Sequence, residues 1–131
     1  MPDADAVAPG AQRRVHRDGV QPWLPIGDAS ARSVEGQQAD PASMLHLTRS
    51  LIAMRTSAAF AAPYQPVSRE AGLWVWRRGD LTVAVNLSDE PRPLGLPGLV
   101  VVVSSDPVRG RERLARSAAI GPWKALILRA D

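Results

Sequence analysis

The chain has 131 residues, of which 16 are basic and 13 acidic, and its sequence pI is about 10.5. The basic residues are scattered instead of forming a stripe interleaved with aromatic residues, so we expect no nucleic-acid partner. The absence of cysteine excludes disulfides and thiolate zinc sites, and no apolar run approaches the length of a membrane span. The length is typical of one domain, or of one small domain with an appended segment.

The N-terminal residues, 1–12, are rich in Ala, Asp, Pro and Gly and lack periodicity, so we expect them to be disordered. Two Asp precede any basic residue and no apolar core follows, which is not the pattern of a signal peptide. The expected location is therefore the cytoplasm. No metal or cofactor is expected, because His16 and His46 are far apart in sequence.

A helix over 41–56 is the main element of the next segment, 13–60. Asp40 has the carboxylate of a good N-cap, and a proline follows it at the first helical position, where its missing N–H costs nothing. Apolar residues recur at three- and four-residue spacing and predict one apolar stripe. The stripe comprises Met44, Leu45, Leu47, Leu51, Ile52 and Met54.

The remaining segment, 64–131, has the pattern of an antiparallel β-domain. Short apolar runs separated by turns predict strands, with a three-residue hairpin loop at 78–80. The predicted strands are Leu73–Arg77, Leu81–Leu87, Leu99–Val103, Ala118–Ile120 and Trp123–Leu128. The fold class is therefore mainly β, a small antiparallel sandwich preceded by helix.

Trp74 and Trp76 lie on the same face of their predicted strand, because side chains alternate along a strand. We favour core positions for both rings, since large aromatic side chains bury well. The alternative is a free-standing carbohydrate-binding module in which these two rings stack on maltooligosaccharide. A third hypothesis, nucleic-acid binding through the basic run Arg109–Arg116, is less favoured because Glu112 interrupts that run.

Two groups of motifs resemble the C-terminal part of alpha-glucosidases and oligo-1,6-glucosidases of the alpha-amylase superfamily. The first group, at the end of the catalytic barrel in that family, is similar to Arg17–Gly19, Pro22–Ile26 and Ser33–Arg55 here. The second group, in the family's C-terminal β-domain, is similar to Val85–Ser88 and Ile120–Leu128. Ser33 replaces an Asn, Thr48 an aromatic residue and Lys124 a Glu of the family pattern.

The resemblance implies the last helix of a (β/α)8 barrel followed by the C-terminal domain. The family's catalytic carboxylates lie upstream of the residues that match, so no catalytic residue is assigned; Glu35 and Asp40 are better explained as acids at helix starts. We expect a non-catalytic piece of an alpha-glucosidase-like hydrolase that packs on a separate barrel chain or associates with itself. The expected barrel-docking face comprises Trp23, Met44, Leu47 and Leu51.

Overall fold

A computed structural model describes residues 28–131, which fall into two compact units that divide between His46 and Leu47. Trp23 and the segment 1–12 lie outside the described residues. The helices are α1 (Ala29–Arg32), α2 (Val34–Gln37), α3 (Met44–Arg55) and α4 (Ala58–Ala61). The strands are β1 (Gln65–Glu70), β2 (Leu73–Arg78), β3 (Leu81–Asn86), β4 (Arg92–Pro93), β5 (Leu99–Ser104), β6 (Ala119–Ile120) and β7 (Ala125–Ala130).

Gln37 organises the described part of the first unit. Ser33 caps α2, because its Oγ accepts a hydrogen bond from the Gly36 amide at 3.0 Å. The carbonyl of Gln37 accepts from Ser43 Oγ at 3.0 Å, and its side-chain Oε1 accepts from the Leu45 amide at 2.8 Å. The first amides of a helix have no partner within the helix, so Gln37 supplies the acceptor that α3 needs at its start.

Helix α3 begins at Met44, three residues later than the sequence pattern predicts, and ends at Arg55. Asp40 does not act as its N-cap. The Asp40 Oδ1 instead accepts from the Ala42 amide at 2.9 Å, and the Asp40 carbonyl accepts from the Ser43 amide at 3.0 Å. Both bonds close a turn ahead of the helix, a local arrangement that Asp side chains favour.

The second unit is a five-stranded antiparallel sheet in the order β1-β2-β3-β7-β5, accompanied by a two-stranded sheet of β4 and β6. The predicted antiparallel β-fold with a helical segment before it is confirmed. Strand β7 lies between β3 and β5, so the last strand in chain order is a central one.

The main core covers one face of the large sheet. It combines inward-facing strand residues with apolar residues from the small sheet and its connections, as expected where two sheets pack face to face. Its buried members are Val75, Ala84, Leu94, Val101, Leu114, Ile120, Leu126 and Leu128.

The opposite face of the large sheet carries a second, smaller core. Leu81, Val83 and Ile127 are buried there, and Met54 of α3 and Phe60 of α4 pack against them. Strand β3 is consequently buried on both faces, with Ala84 in the main core and Val83 in the smaller one.

The β2–β3 hairpin has a two-residue loop, shorter than the predicted three residues, because Arg78 pairs directly with Leu81. Gly79 adopts φ +57°, the left-handed region that glycine populates without strain. A Cβ atom at this position would lie 3.2 Å from the carbonyl oxygen of Ala59, so glycine also lets the hairpin approach α4 closely.

Strand β1 was not predicted, because Pro66 interrupts its sequence. A proline is tolerated at the edge of a sheet, and β1 is an edge strand whose pairing with β2 shifts register between Pro66 and Ser68.

None of the helices within residues 28–131 is long and apolar enough to cross a membrane.

Candidate functional site

The alternation of β2 places Trp74, Trp76 and Arg78 on one face of the sheet, opposite the buried Val75. The two indole rings are adjacent, with centroids 4.7 Å apart and planes inclined by 44°. Both rings are half-buried, so neither lies wholly in the core nor stands free as a platform.

Tyr64, which precedes β1, extends this pair into a cluster of three aromatic rings, with its centroid 6.3 Å from that of Trp76. Its hydroxyl accepts hydrogen bonds from Arg69 Nη2 at 2.9 Å and from Trp74 Nε1 at 3.1 Å. The bond from Arg69 lowers the pKa of the Tyr64 phenol below its usual value, because a cationic donor stabilises the phenolate. Arg69 also lies over the Trp74 ring, 5.4 Å from its centroid.

These rings line an open cleft of about 460 Å³ in the second unit. Its lining residues are Arg55, Phe60, Tyr64, Trp74, Trp76 and Arg78. The lining therefore combines four aromatic side chains with two guanidinium groups and includes no carboxylate. From the sequence, only the two Trp were identified as candidate site residues. Arg55 reaches the cleft from α3, Phe60 from α4 and Tyr64 from the segment before β1. Arg78 lies two residues after Trp76 on the same face of β2.

The apolar residues of α3 divide between buried and exposed positions. Met54 packs on the sheet, and Leu47 is half-buried. Leu51 and Ile52 remain 41% and 59% exposed. Met44, at the start of the helix in the first unit, is 67% exposed. Two adjacent apolar side chains of the second unit are thus left in contact with solvent, and exposed apolar groups of this kind often mark an interface.

The two acids considered for catalysis, Glu35 and Asp40, are solvent-exposed. Asp40 is also occupied in the turn before α3. Within residues 28–131 no three His, Cys, Asp or Glu side chains are grouped so as to hold a metal ion.

Two of the four arginines in the basic run, Arg109 and Arg113, are paired within the chain. Arg109 contacts Glu112 at 2.7 Å and donates to the Ala119 carbonyl at 2.6 Å, while Arg113 contacts Asp131 at 2.6 Å. The hydrogen bond from Arg109 lowers the pKa of the Glu112 carboxyl below its usual value. These pairings reduce the charge that the run could offer to a phosphate backbone.

The motif Val85–Ser88 has a structural explanation in Asn86, which is fully buried. Its Nδ2 donates to the carbonyls of Glu90 at 2.7 Å and Gly121 at 2.9 Å, with Ile120 at 3.3 Å. Its Oδ1 accepts from the amide and hydroxyl of Ser88 at 3.1 and 2.7 Å. One side chain therefore joins the end of β3 to the loop after it and to the connection between β6 and β7.

The family model of the domain of unknown function DUF3459, the C-terminal domain of alpha-amylase-family enzymes, matches residues 59–120. The trehalulose synthase MutB from Pseudomonas mesoacidophila MX-45 is a solved structure with the same fold, at 25% identity and a TM-score of 0.62. The resemblance to the C-terminal part of alpha-amylase-family enzymes is confirmed. A MutB mutant from crystals soaked with trehalulose is similar at 24% identity and a TM-score of 0.63. No curated protein matches the chain.

The match to the alpha-amylase-family enzyme is extensive for this chain and partial for the enzyme. The alignment with MutB covers 83% of this chain but only 22% of the MutB chain. The aligned residues thus correspond to a C-terminal part of that enzyme that does not include the catalytic barrel.

Proposed function

We propose that the chain serves as the non-catalytic C-terminal region of an alpha-glucoside-processing enzyme and docks on a catalytic barrel through Leu51 and Ile52 of α3. The observation that carries the proposal is the exposure of these two side chains on a helix that packs against the β-domain through Met54. The similarity of the chain to the C-terminal fifth of an alpha-amylase-family enzyme supports a barrel as the occupant. The expected compartment is the cytoplasm.

The exposed fractions set the scale of the docking energy. Complete burial of a Leu or Ile side chain in an interface stabilises the complex by roughly 1.5–3 kcal/mol. Because 41% of Leu51 and 59% of Ile52 remain exposed, docking would bury the equivalent of one complete side chain. Loss of that burial, roughly 1.5–3 kcal/mol, corresponds to a decrease in affinity of about 10- to 100-fold.

Coexpression with a barrel tests the proposal. The partner is the MutB chain truncated before the segment that this chain matches, and the measurement is the amount that copurifies with the tagged 131-residue chain. We expect copurification with the wild type and with a Ser50→Gln control, which replaces an exposed polar residue of the same helix. The double variant Leu51→Gln, Ile52→Gln should lose the partner and keep the circular dichroism spectrum of the wild type.

Three outcomes would contradict the proposal. The first is copurification that the double variant does not reduce. The second is unfolding of the double variant, which would place Leu51 and Ile52 in the core. The third is a self-associated chain, seen by sedimentation velocity, that takes up no barrel and that the double variant converts to monomer. This last result would make a second copy of the chain the occupant of the α3 surface.

A further inference from the structure

The cleft lined by Arg55, Phe60, Tyr64, Trp74, Trp76 and Arg78 is the feature that docking through α3 does not use. Its volume, about 460 Å³, is within the range of small-ligand sites, which are usually apolar with a few convergent polar groups. Four of its six lining side chains are aromatic. Such rings offer flat apolar surface of the kind that packs against the apolar face of a sugar ring.

The polar groups of the cleft are mainly hydrogen-bond donors. Arg78 uses one guanidinium N–H in a 2.8 Å bond to the Phe60 carbonyl, which fixes its position and leaves other N–H groups available. Within residues 28–131 no side chain forms an ion pair or hydrogen bond with the Arg55 guanidinium. The Tyr64 hydroxyl oxygen already accepts two hydrogen bonds, from Arg69 and Trp74.

This set of groups selects the charge of the ligand. A neutral oligosaccharide presents hydroxyls that need acceptors as well as donors, and the lining offers no carboxylate as an acceptor. A phosphate or carboxylate instead accepts from guanidinium groups in strong, charge-assisted hydrogen bonds. We propose that the cleft binds an anionic saccharide, a sugar ring bearing a phosphate or a carboxylate, with the ring against Trp74 and Trp76 and the anion on Arg55 and Arg78.

Tryptophan fluorescence titrations of the 131-residue chain at physiological salt test this proposal. The ligands are glucose 6-phosphate and glucuronate, which distinguish a sugar phosphate from a sugar acid, with glucose, maltotriose and inorganic phosphate as comparisons. We expect saturable quenching by at least one of the two anionic sugars and weaker binding of all three comparison ligands.

Substitutions locate the site. Arg55→Gln should weaken binding by about tenfold or more, because each charge-assisted hydrogen bond that is lost contributes more than a neutral one. Arg78→Gln should do the same, although it also removes the bond to the Phe60 carbonyl. Arg49→Gln, on the same helix and outside the cleft lining, is the matched control and should bind as the wild type does.

The proposal fails if neither anionic sugar gives saturable quenching at millimolar concentration. It also fails if inorganic phosphate binds as tightly as glucose 6-phosphate, since the rings would then contribute nothing. Tighter binding of maltotriose would assign the cleft to a neutral glucan, and unchanged binding by Arg55→Gln would place the ligand elsewhere. None of these results depends on docking to a barrel, which the Leu51 and Ile52 substitutions test separately.

Discussion

Replacement of Asn86 should reveal how much one buried side chain contributes to the β-domain. Asn86→Leu retains a side chain of similar size but removes the partner of Ser88 and of three carbonyls, those of Ile120 and Gly121 and that of the exposed Glu90. Leaving a buried polar group without its hydrogen bond costs about 1–3 kcal/mol. The loss of hydrogen bonds to the Ile120 and Gly121 carbonyls, beside a fully buried position, should therefore lower the free energy of unfolding by roughly 2–6 kcal/mol.

That loss is large for a unit of this size, residues 47–131, for which roughly 4–13 kcal/mol of total stability is typical. Urea unfolding followed by tryptophan fluorescence measures it, because the midpoint falls in proportion to stability when the slope is unchanged. Ser88→Ala is the matched control. It removes the hydroxyl that donates to Asn86 Oδ1 and should cost only about 1 kcal/mol.

Asn86→Asp tests the same environment with almost no change of shape. Burial and the three neighbouring carbonyl oxygens should raise the pKa of the new carboxyl above the unfolded value of about 3.9. A raised folded-state pKa gives stability that is fully present below the unfolded pKa and decreases as the pH rises through the folded pKa. The variant should be more stable near pH 4, relative to wild type, than at pH 7. Equal relative stability at both pH values would refute the argument, since Asn86 would then be hydrated.

Two further predictions concern activity and the cleft. The isolated chain should leave 4-nitrophenyl α-glucoside intact, because a retaining mechanism needs two carboxyls held about 5 Å apart in a rigid pocket; turnover abolished by Glu35→Gln would contradict this. The phenol of Tyr64 should ionise at a lower pH than an ordinary tyrosine, and its absorbance near 295 nm measures this ionisation. Arg69→Gln should raise the pKa of Tyr64, because it removes the hydrogen bond to the phenol oxygen. A titration unaffected by Arg69→Gln would mean that this bond is not formed in solution.

Local sequence patterns predicted the strands whose apolar runs are continuous. The pattern at Leu73–Arg77 and at Leu99–Val103 matches β2 and β5 to within one residue at each end. Strand β1 was missed because Pro66 normally argues against a strand, and its edge position, which makes the proline acceptable, depends on tertiary structure. Leu114 is buried within the basic run Arg109–Arg116, and its burial was not predicted because a single apolar residue produces no periodicity.

The cleft could be predicted only in part for a related reason. Strand periodicity correctly places Trp74 and Trp76 on one face, because the two are neighbours along one strand. Arg55 and Tyr64 reach the same cleft from segments whose own sequence gives no sign of it. The start of α3 was mispredicted for a similar reason. The Asp-Pro pair at Asp40 is a local signal for a helix start, whereas the acceptor that the Leu45 amide uses belongs to Gln37, eight residues earlier in the chain.

The central position of β7 has a consequence for synthesis on the ribosome. Strands β3 and β5 are both complete in the nascent chain before Ala125 is added, but their native partner on the side that each turns to the other is β7, which is not yet made. Until then both strands present unpaired amides and carbonyls, which readily recruit strands from other chains. Translation that stalls or stops shortly before Ala125 should therefore release an aggregation-prone product.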